Sequence, residues 1–329
     1  MRILIIGGSV FVGRAITEEA LRRGHEVTTF NRGRSGVDLP GVEAIRGDRE
    51  VAEDLDRLVE GREWDAVIDV IGRVPRLVDE SVRRLNGHAG VYTFISSISA
   101  ISDFPEKPCD ENSPIYECAP DAGPDDGDYG TLKAGCERAA EAFEGDTLII
   151  QPGLILGPYE DVGRLPWWLD RISRGGRVLA PGDPDRAMQV IDVRDLATFV
   201  LDRTEAGKTD RFLVSGVPGN TTYGDWLAEC RAATGSDAEF VWVDDRFLLD
   251  REVAPWTEFP LWTPGDPEFA GVWLASSAKA LAAGLTCRPV AETVRDTWAW
   301  LREVPPAERS FKWHGIDPEK EARILAEWE

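Results

Sequence analysis

Apolar residues in this chain fall in short unbroken runs separated by amphipathic stretches. The first run, within 2–6, shows no polar alternation, as a strand buried on both faces requires. Glycine-rich residues 7–13 follow, then a stretch over 14–23 that predicts a helix closed by Gly24. Further strands are predicted at 25–30, 42–46, 64–71, 91–97 and 147–151, and helices at 55–60, 77–86 and 129–143. A loop rich in Pro, Asp and Gly spans about 102–128. After Pro152 glycine and proline become frequent and tryptophans cluster, while 190–196 reads as one more strand-to-helix unit rejoining the first part. Alternating strand and helix predicts an α/β fold, a doubly wound parallel sheet. We expect this domain to comprise 1–152 plus about 187–216, and a smaller C-terminal α/β capping domain to take about 153–186 and 217–329.

The chain has 329 residues, 43% of them hydrophobic, enough for a large core. No apolar run approaches the ~20 residues that cross a bilayer. The apolar N-terminus is too short and too glycine-bounded for a signal peptide. A soluble, cytoplasmic protein is expected. Asp and Glu total 59 against 37 Lys and Arg, a formal net charge of −22, which argues against nucleic acid or an anionic membrane as partner. Lysine is scarce, confined to Lys107, Lys133, Lys208, Lys279, Lys312 and Lys320. Acid-rich, lysine-poor composition resembles that of proteins from salt-accumulating organisms, where salt screens self-repulsion. A high-GC genome with ordinary acidity is the plainer alternative. Five scattered cysteines without a C-x-x-C spacing, and three separated histidines, predict neither a disulfide framework nor a metal site.

Three groups of residues carry candidate chemistry. The first is Gly7-Gly-Ser9-Val10-Phe11-Val12-Gly13, after a strand and before a helix. A helix N-terminus offers free N–H groups and a positive dipole end to a pyrophosphate, and glycine permits close approach. This is the context of a Rossmann dinucleotide loop, although Val10 replaces the central glycine of G-x-x-G-x-x-G. The second strand then ends Asn31-Arg32-Gly33-Arg34, with no carboxylate for ribose hydroxyls and two arginines for a 2′-phosphate. NADP(H) is therefore the preferred cofactor, with NAD(H) the alternative. Asp48, after the third strand, can accept from the adenine amino group. Arg49 beside it joins this set, as do Ile71 and Gly72 at the end of the fourth strand.

The third group is Ser96-Ser97-Ile98-Ser99 followed by Tyr129-Gly-Thr-Leu-Lys133. Residues four apart on a helix share a face. A lysine ammonium near a tyrosine favours the phenolate, which equips the phenol to exchange a proton with an alcohol oxygen. Ser97, and after it Ser99, can hydrogen-bond the same oxygen. All three groups follow strand C-termini, where ligands of doubly wound sheets bind.

Together these residues resemble the extended short-chain dehydrogenase/reductase superfamily, in its NAD-dependent epimerase/dehydratase-like branch. The resemblance covers nearly the whole chain. It implies a catalytic set of Ser97, Tyr129 and Lys133, with Lys133 also on the nicotinamide ribose. Gln151-Pro-Gly-Leu-Ile-Leu-Gly-Pro158 resembles a segment whose backbone lies against the nicotinamide, which implicates Pro152, Gly153, Leu154 and Ile155. Sugar-nucleotide dehydratases place Thr-Asp-Glu where this chain has Ser97-Ile98-Ser99, so dehydration is not expected. Asn31-Arg32-Gly33 resembles a sub-branch containing reductases and chloroplast RNA-associated relatives, and the net charge disfavours RNA. The resemblance implies an NAD(P)H-dependent carbonyl reductase or alcohol dehydrogenase. The alternatives are an epimerase of a sugar or sugar nucleotide, which retains its cofactor, and a non-catalytic NADP(H)-binding sensor or scaffold. The substrate is a small carbonyl, alcohol or sugar-like molecule. Arg164, Trp167, Arg186 and Gln189 are candidate contacts to it, and Trp256 and Trp262 are further ones. Relatives often pair through the helices around the Tyr-Lys motif, so a homodimer is expected.

Overall fold

The structure, a computed structural model, describes residues 1–309, 311 and 314–328. In chain order the elements begin β1 (Arg2–Ile6), α1 (Phe11–Arg22), β2 (Glu26–Asn31), β3 (Glu43–Arg46), α2 (Ala52–Asp56) and β4 (Trp64–Asp69). There follow α3 (Pro75–Leu85), β5 (Ala89–Ile95), a 3-10 turn (Ile98–Ala100), α4 (Tyr129–Ala140), β6 (Asp146–Pro152) and β7 (Ile155–Leu156). Next come α5 (Arg164–Ser173), β8 (Arg177–Pro181), β9 (Ala187–Met188), β10 (Ile191–Asp192), α6 (Val193–Ala206) and β11 (Asp210–Val214). The chain ends with β12 (Thr221–Thr222), α7 (Tyr223–Thr234), β13 (Glu239–Val243), α8 (Asp245–Leu249), α9 (Ala278–Ala282), α10 (Val290–Leu301) and α11 (Pro318–Glu327).

Two compact units result. The first holds Met1–Gly153, Val193–Ser215 and Ala275–Thr286, and the smaller second holds Leu154–Asp192, Gly216–Leu274 and Cys287–Glu329. The first contains a seven-stranded sheet, ordered β3-β2-β1-β4-β5-β6-β11, in which every pairing is parallel. The order reverses between β1 and β4, so both strand ends open into one crevice there. Ile3, Leu4, Ile5 and Ile6 of β1 are all fully buried, which explains their unbroken apolar run. On one face, Leu4, Ile6, Val67, Tyr92, Phe94 and Ile149 pack with Val78 and Val82 of α3 and Cys136 of α4. On the other face, Thr93 of β5 hydrogen-bonds Thr204 of α6 at 2.8 Å.

The structure corrects the expected organisation in two places. The seventh strand is β11, which pairs with β6, whereas Ile191–Asp192 pairs with β7. Ala187–Met188 pairs with β12. The boundary therefore falls at Val193 instead of about 187, and the late segment Ala275–Thr286 returns to the first unit.

The second unit is organised by aromatic packing. Trp168 of α5 meets Trp226 and Tyr223 of α7 edge-on and stacks on Phe259. Its Nε1 donates to the Pro260 carbonyl at 2.9 Å, so the indole is satisfied although buried. Trp226 and Trp262 are buried as well, in line with the core role expected for most tryptophans. Among the described residues, no helix is long and apolar enough to cross a membrane.

Candidate active site

The glycine loop is shaped by backbone that other residues resist. Gly7 and Gly8 have φ of 113° and 95°, a region that disfavours side chains. Gly13, on the first turn of α1, lies so close to Gly8 that a Cβ would sit 2.7 Å from the Gly8 nitrogen. Thr17 Oγ1 donates between the carbonyls of Gly8 (3.1 Å) and Gly13 (2.8 Å), locking loop to helix. No side chain caps α1 at Val10, and its first turn carries no acid. The helix thus keeps its orphan N–H groups and positive end for an outside anion. Ser9, Val10, Phe11, Val12 and Gly13 span this uncapped helix start, where loop and helix meet too closely for a Cβ at position 13, and this fits a pyrophosphate.

The residues beyond β2 and β3 are more committed than their sequence implies. Asn31 is buried, and its Oδ1 accepts from the Gly33 N–H at 2.8 Å and from Arg46. Its Nδ2 donates to Asp38 at 3.3 Å, and Arg46 also pairs with Asp38. Asn31 therefore ties the loop together. Arg32 lies 3.6 Å from Asp48, and Arg34 is exposed. Asp48 Oδ1 accepts from the Glu50 N–H at 3.2 Å. A Cβ on Gly36 would lie 2.4 Å from the Ser9 carbonyl, so this loop rests against the glycine loop.

Arg49, expected at the cofactor, turns its guanidinium into the core. It bonds both carboxylate oxygens of Asp69, at 3.1 and 2.9 Å, and Ser81 Oγ at 2.9 Å. Asp69, buried in β4, also accepts from the Tyr92 hydroxyl at 2.9 Å. Burial works against the Arg49 charge, but the Asp69 carboxylate, together with Tyr92 and Cys136 beside it, outweighs it and the pKa rises.

α4 carries the Tyr-Lys pair. Asp128 caps it by accepting from the Thr131 N–H at 2.9 Å, a bond that holds the Asp128 carboxyl below its ordinary range. Tyr129, the first helical residue, is 53% exposed, and its hydroxyl bonds no other described residue. Lys133 is only 3% exposed. Its Nζ donates to the carbonyls of Gly72 (2.9 Å) and Ile95 (2.8 Å) and sits 4.4 Å from the Phe94 ring centroid. Two of three N–H groups are thereby engaged just beyond β4 and at the end of β5, leaving one available. Ile71 is exposed beside Gly7, where a Cβ would lie 3.0 Å from its Cγ2.

Ser97 begins the 3-10 turn. Its Oγ accepts from the Ser99 N–H at 3.1 Å, leaving the hydroxyl proton free to donate. Gly130 lets α4 approach this turn, since a Cβ there would lie 2.3 Å from the Ser99 carbonyl oxygen. The fold thus brings the Ser97–Ser99 turn against the helix start that bears Tyr129. Ser96, by contrast, points inward to Glu137. Two hydroxyls, with Lys133 one turn beyond Tyr129 on the same helix, form a set that can share a proton with a substrate oxygen. Asp128 and Gly130 are the residues that sequence reasoning missed. An Asp before a helical stretch, and a Gly inside one, were the available signals.

Pro152 ends β6, and Gly153 follows with its N–H on the Val214 carbonyl at 2.9 Å. Leu154 and Ile155 open the second unit. There the six expected substrate contacts are engaged within the unit itself, Trp262 donating to Asp245 at 2.9 Å and Trp256 lying 6.3 Å from Trp273 between ring centroids. Arg164 bonds the buried Glu160 at 2.9 Å and the Ile155 carbonyl at 2.8 Å. Burial raises the Glu160 pKa against the pull of Arg164. Trp167 is buried edge-to-face on Trp168 and Phe259, at 4.8 and 5.9 Å between ring centroids. Arg186 bonds the Thr263 carbonyl and lies 2.8 Å from Asp245. Gln189 is buried, donating to the Gly216 carbonyl at 2.6 Å. These side chains serve the unit's own architecture. Arg164 finds its carboxylate four residues back, whereas Arg186 and Gln189 find partners remote in sequence. Among the described residues, no group of three His, Cys, Asp or Glu is placed to hold a metal ion.

The pattern of the NAD dependent epimerase/dehydratase family matches residues 3–214. Among curated proteins, the chloroplast stem-loop binding protein of 41 kDa b from Arabidopsis thaliana is 26% identical over 258 residues, covering 72% of this chain and 64% of that protein. The chain spans less than two thirds of the length of the curated relatives it matches. Among solved structures, the UDP-glucose 4-epimerase of Thermotoga maritima with UDP-glucose is 18% identical, covers 92% of this chain and 99% of that one, and has a TM-score of 0.66. The UDP-glucose 4-epimerase of Thermus thermophilus in complex with NAD is 19% identical, covers 93% and 100%, and has a TM-score of 0.64. At these identities the likeness is one of fold.

Proposed function

The chain belongs to the NAD dependent epimerase/dehydratase family, and we propose that within it the protein is an NAD(P)(H)-dependent oxidoreductase acting at a carbonyl or carbinol carbon. The observation that carries this reading is Lys133, buried beyond the ends of β4 and β5, one turn from the exposed Tyr129. A bound nicotinamide would supply the hydride donor or acceptor. Tyr129 gives or takes the proton of the substrate oxygen, and Ser97 donates a hydrogen bond to the same atom. Lys133 contributes a fixed positive charge and its remaining N–H. The cradle at Ser9–Gly13 holds the pyrophosphate, while the backbone at Pro152 and Gly153 bounds the nicotinamide end. Arg32 and Arg34 support a preference for the 2′-phosphate of NADP(H). The second unit is proposed as the substrate-binding domain. A cytoplasmic homodimer without a nucleic-acid partner completes the proposal, the last part supported by the net charge of −22.

A second reading is epimerisation of a sugar nucleotide, favoured by the UDP-sugar epimerases among the similar structures. The two differ in cofactor exchange. Protein purified in molar potassium chloride is denatured, and any released nicotinamide is identified and quantified. The site is then titrated with NADPH and NADH. An empty site preferring NADPH supports the exchanging reductase, and NAD+ retained near one per chain supports the epimerase. Failure to bind either cofactor overturns both. Tyr129→Phe is expected to abolish turnover on any substrate found in a carbonyl and sugar-nucleotide screen, with cofactor affinity intact.

A further inference from the structure

Glu137 lies one turn beyond Lys133 on α4, so Tyr129, Lys133 and Glu137 share a face at successive i, i+4 positions. It is fully buried, and its carboxylate gathers donors from three neighbouring strands. Ser96, just beyond β5, donates its hydroxyl to Oε1. Gln151 of β6 donates Nε2 to both oxygens, at 3.0 and 3.2 Å. Arg211 of β11 donates Nη1 to Oε2, while its Nη2 bonds Glu141 at 2.6 Å. The tied residues border the proposed chemistry. Ser96 precedes Ser97, Gln151 precedes Pro152 and Gly153, and the Ile95 carbonyl before Ser96 is the one that Lys133 holds.

A buried ion pair is a weak source of net stability, because desolvation offsets the attraction. Its geometric demands, however, leave few alternatives to one arrangement of the strand ends. We propose that Glu137 is a positioning residue, which sets Ser97, Lys133 and the 151–153 backbone in register for the nicotinamide end of the cofactor. The inference rests on the reading of those residues under the proposed function. It requires that loss of the Glu137 charge disturb the nicotinamide end alone, since the glycine loop lies on other elements.

The test is Glu137→Gln, which preserves size but presents an N–H₂ to groups that are already donors. Affinity for NADPH and NADH is measured by nicotinamide fluorescence, and affinity for ADP-ribose, which lacks the nicotinamide, by calorimetry. The expected result is an NAD(P)H affinity lowered about tenfold with a diminished fluorescence shift, while ADP-ribose affinity stays within about twofold of wild type. Ser96→Ala and Gln151→Leu, which leave the ion pair intact, give the same comparison if the first variant does not fold. Equal losses for both ligands alongside a lower Tm would reduce Glu137 to a structural role and overturn the proposal. Unchanged binding of both would also overturn it. Wild-type protein that binds ADP-ribose as well as NAD(P)H, without a fluorescence shift, would instead remove the reading on which it rests.

Discussion

Replacing Gly13 by Ala sets two physical effects against each other. Position 13 has ordinary helical backbone on the first turn of α1, where alanine is intrinsically favoured over glycine by about 1 kcal/mol. The added methyl would stand 2.7 Å from the Gly8 nitrogen and 3.0 Å from its Cα, against ordinary contacts that begin near 3.4 Å. Both atoms are backbone, so Gly8 must retreat by about 0.7 Å to restore an ordinary contact. Its room is small, because Thr17 holds its carbonyl and Thr29 lies on its other side. Overpacking of this kind costs about 1–3 kcal/mol, which leaves a net destabilisation of about 0–2 kcal/mol. The displaced atoms are those that frame the proposed anion site. A loss of 1–2 kcal/mol of binding energy corresponds to about 5- to 30-fold weaker affinity. Calorimetric titration with ADP-ribose and NADPH, beside thermal unfolding, measures both quantities. A variant with a raised Tm and unchanged ADP-ribose affinity would refute the argument that this glycine exists for close approach.

Arg49→Ala leaves Asp69 buried without its cation and is expected to cost roughly 3–5 kcal/mol, a Tm lowered by about 10 °C. Weakened cofactor binding at unchanged Tm would restore Arg49 to the cofactor. Asp128→Ala removes the cap of α4 and should cost about 1 kcal/mol in urea unfolding at neutral pH. The cap holds the Asp128 pKa below its ordinary value near 3.8, so its stabilisation is present above that pH and fades as pH falls through the lower folded value. A gap between wild type and variant that widens on acidification contradicts this. With a net charge of −22, the Tm of the wild type should rise as potassium chloride goes from 0.1 M to 1 M, over which the Debye length falls from about 10 to about 3 Å. A flat or falling Tm argues for ordinary acidity.

Much of the sheet was legible because parallel strands buried on both faces leave a local signal. The runs at β1, β4 and β5 need no knowledge of their neighbours. β11 is different: it opens Asp210-Arg211, whose partners Lys279, Glu137 and Glu141 are remote in sequence, so its charges look solvated. The glycine positions of the candidate site were readable for the same local reason, since φ and close approach are backbone properties. Side-chain direction was not. Arg49, Arg164, Arg186 and Gln189 read as free polar groups until the fold supplies Asp69, Glu160, Asp245 and the Gly216 carbonyl. An arginine in a string of letters has no address until its carboxylate is found.

The position of β11 at the sheet edge, beyond β6, has a consequence for biosynthesis. About 60 residues separate the end of β6 from the end of β11, and ribosomes add roughly 5–20 residues per second. For some seconds the nascent chain therefore carries a six-stranded sheet whose β6 edge, including Leu148, Ile149 and Ile150, lacks its neighbour. That interval is when chaperone capture or mispairing with another nascent chain competes with folding. A shortened version ending at Gly153 would make this transient edge permanent, so expression of the first unit alone requires that Val193–Ser215 and Ala275–Thr286 be spliced back onto it.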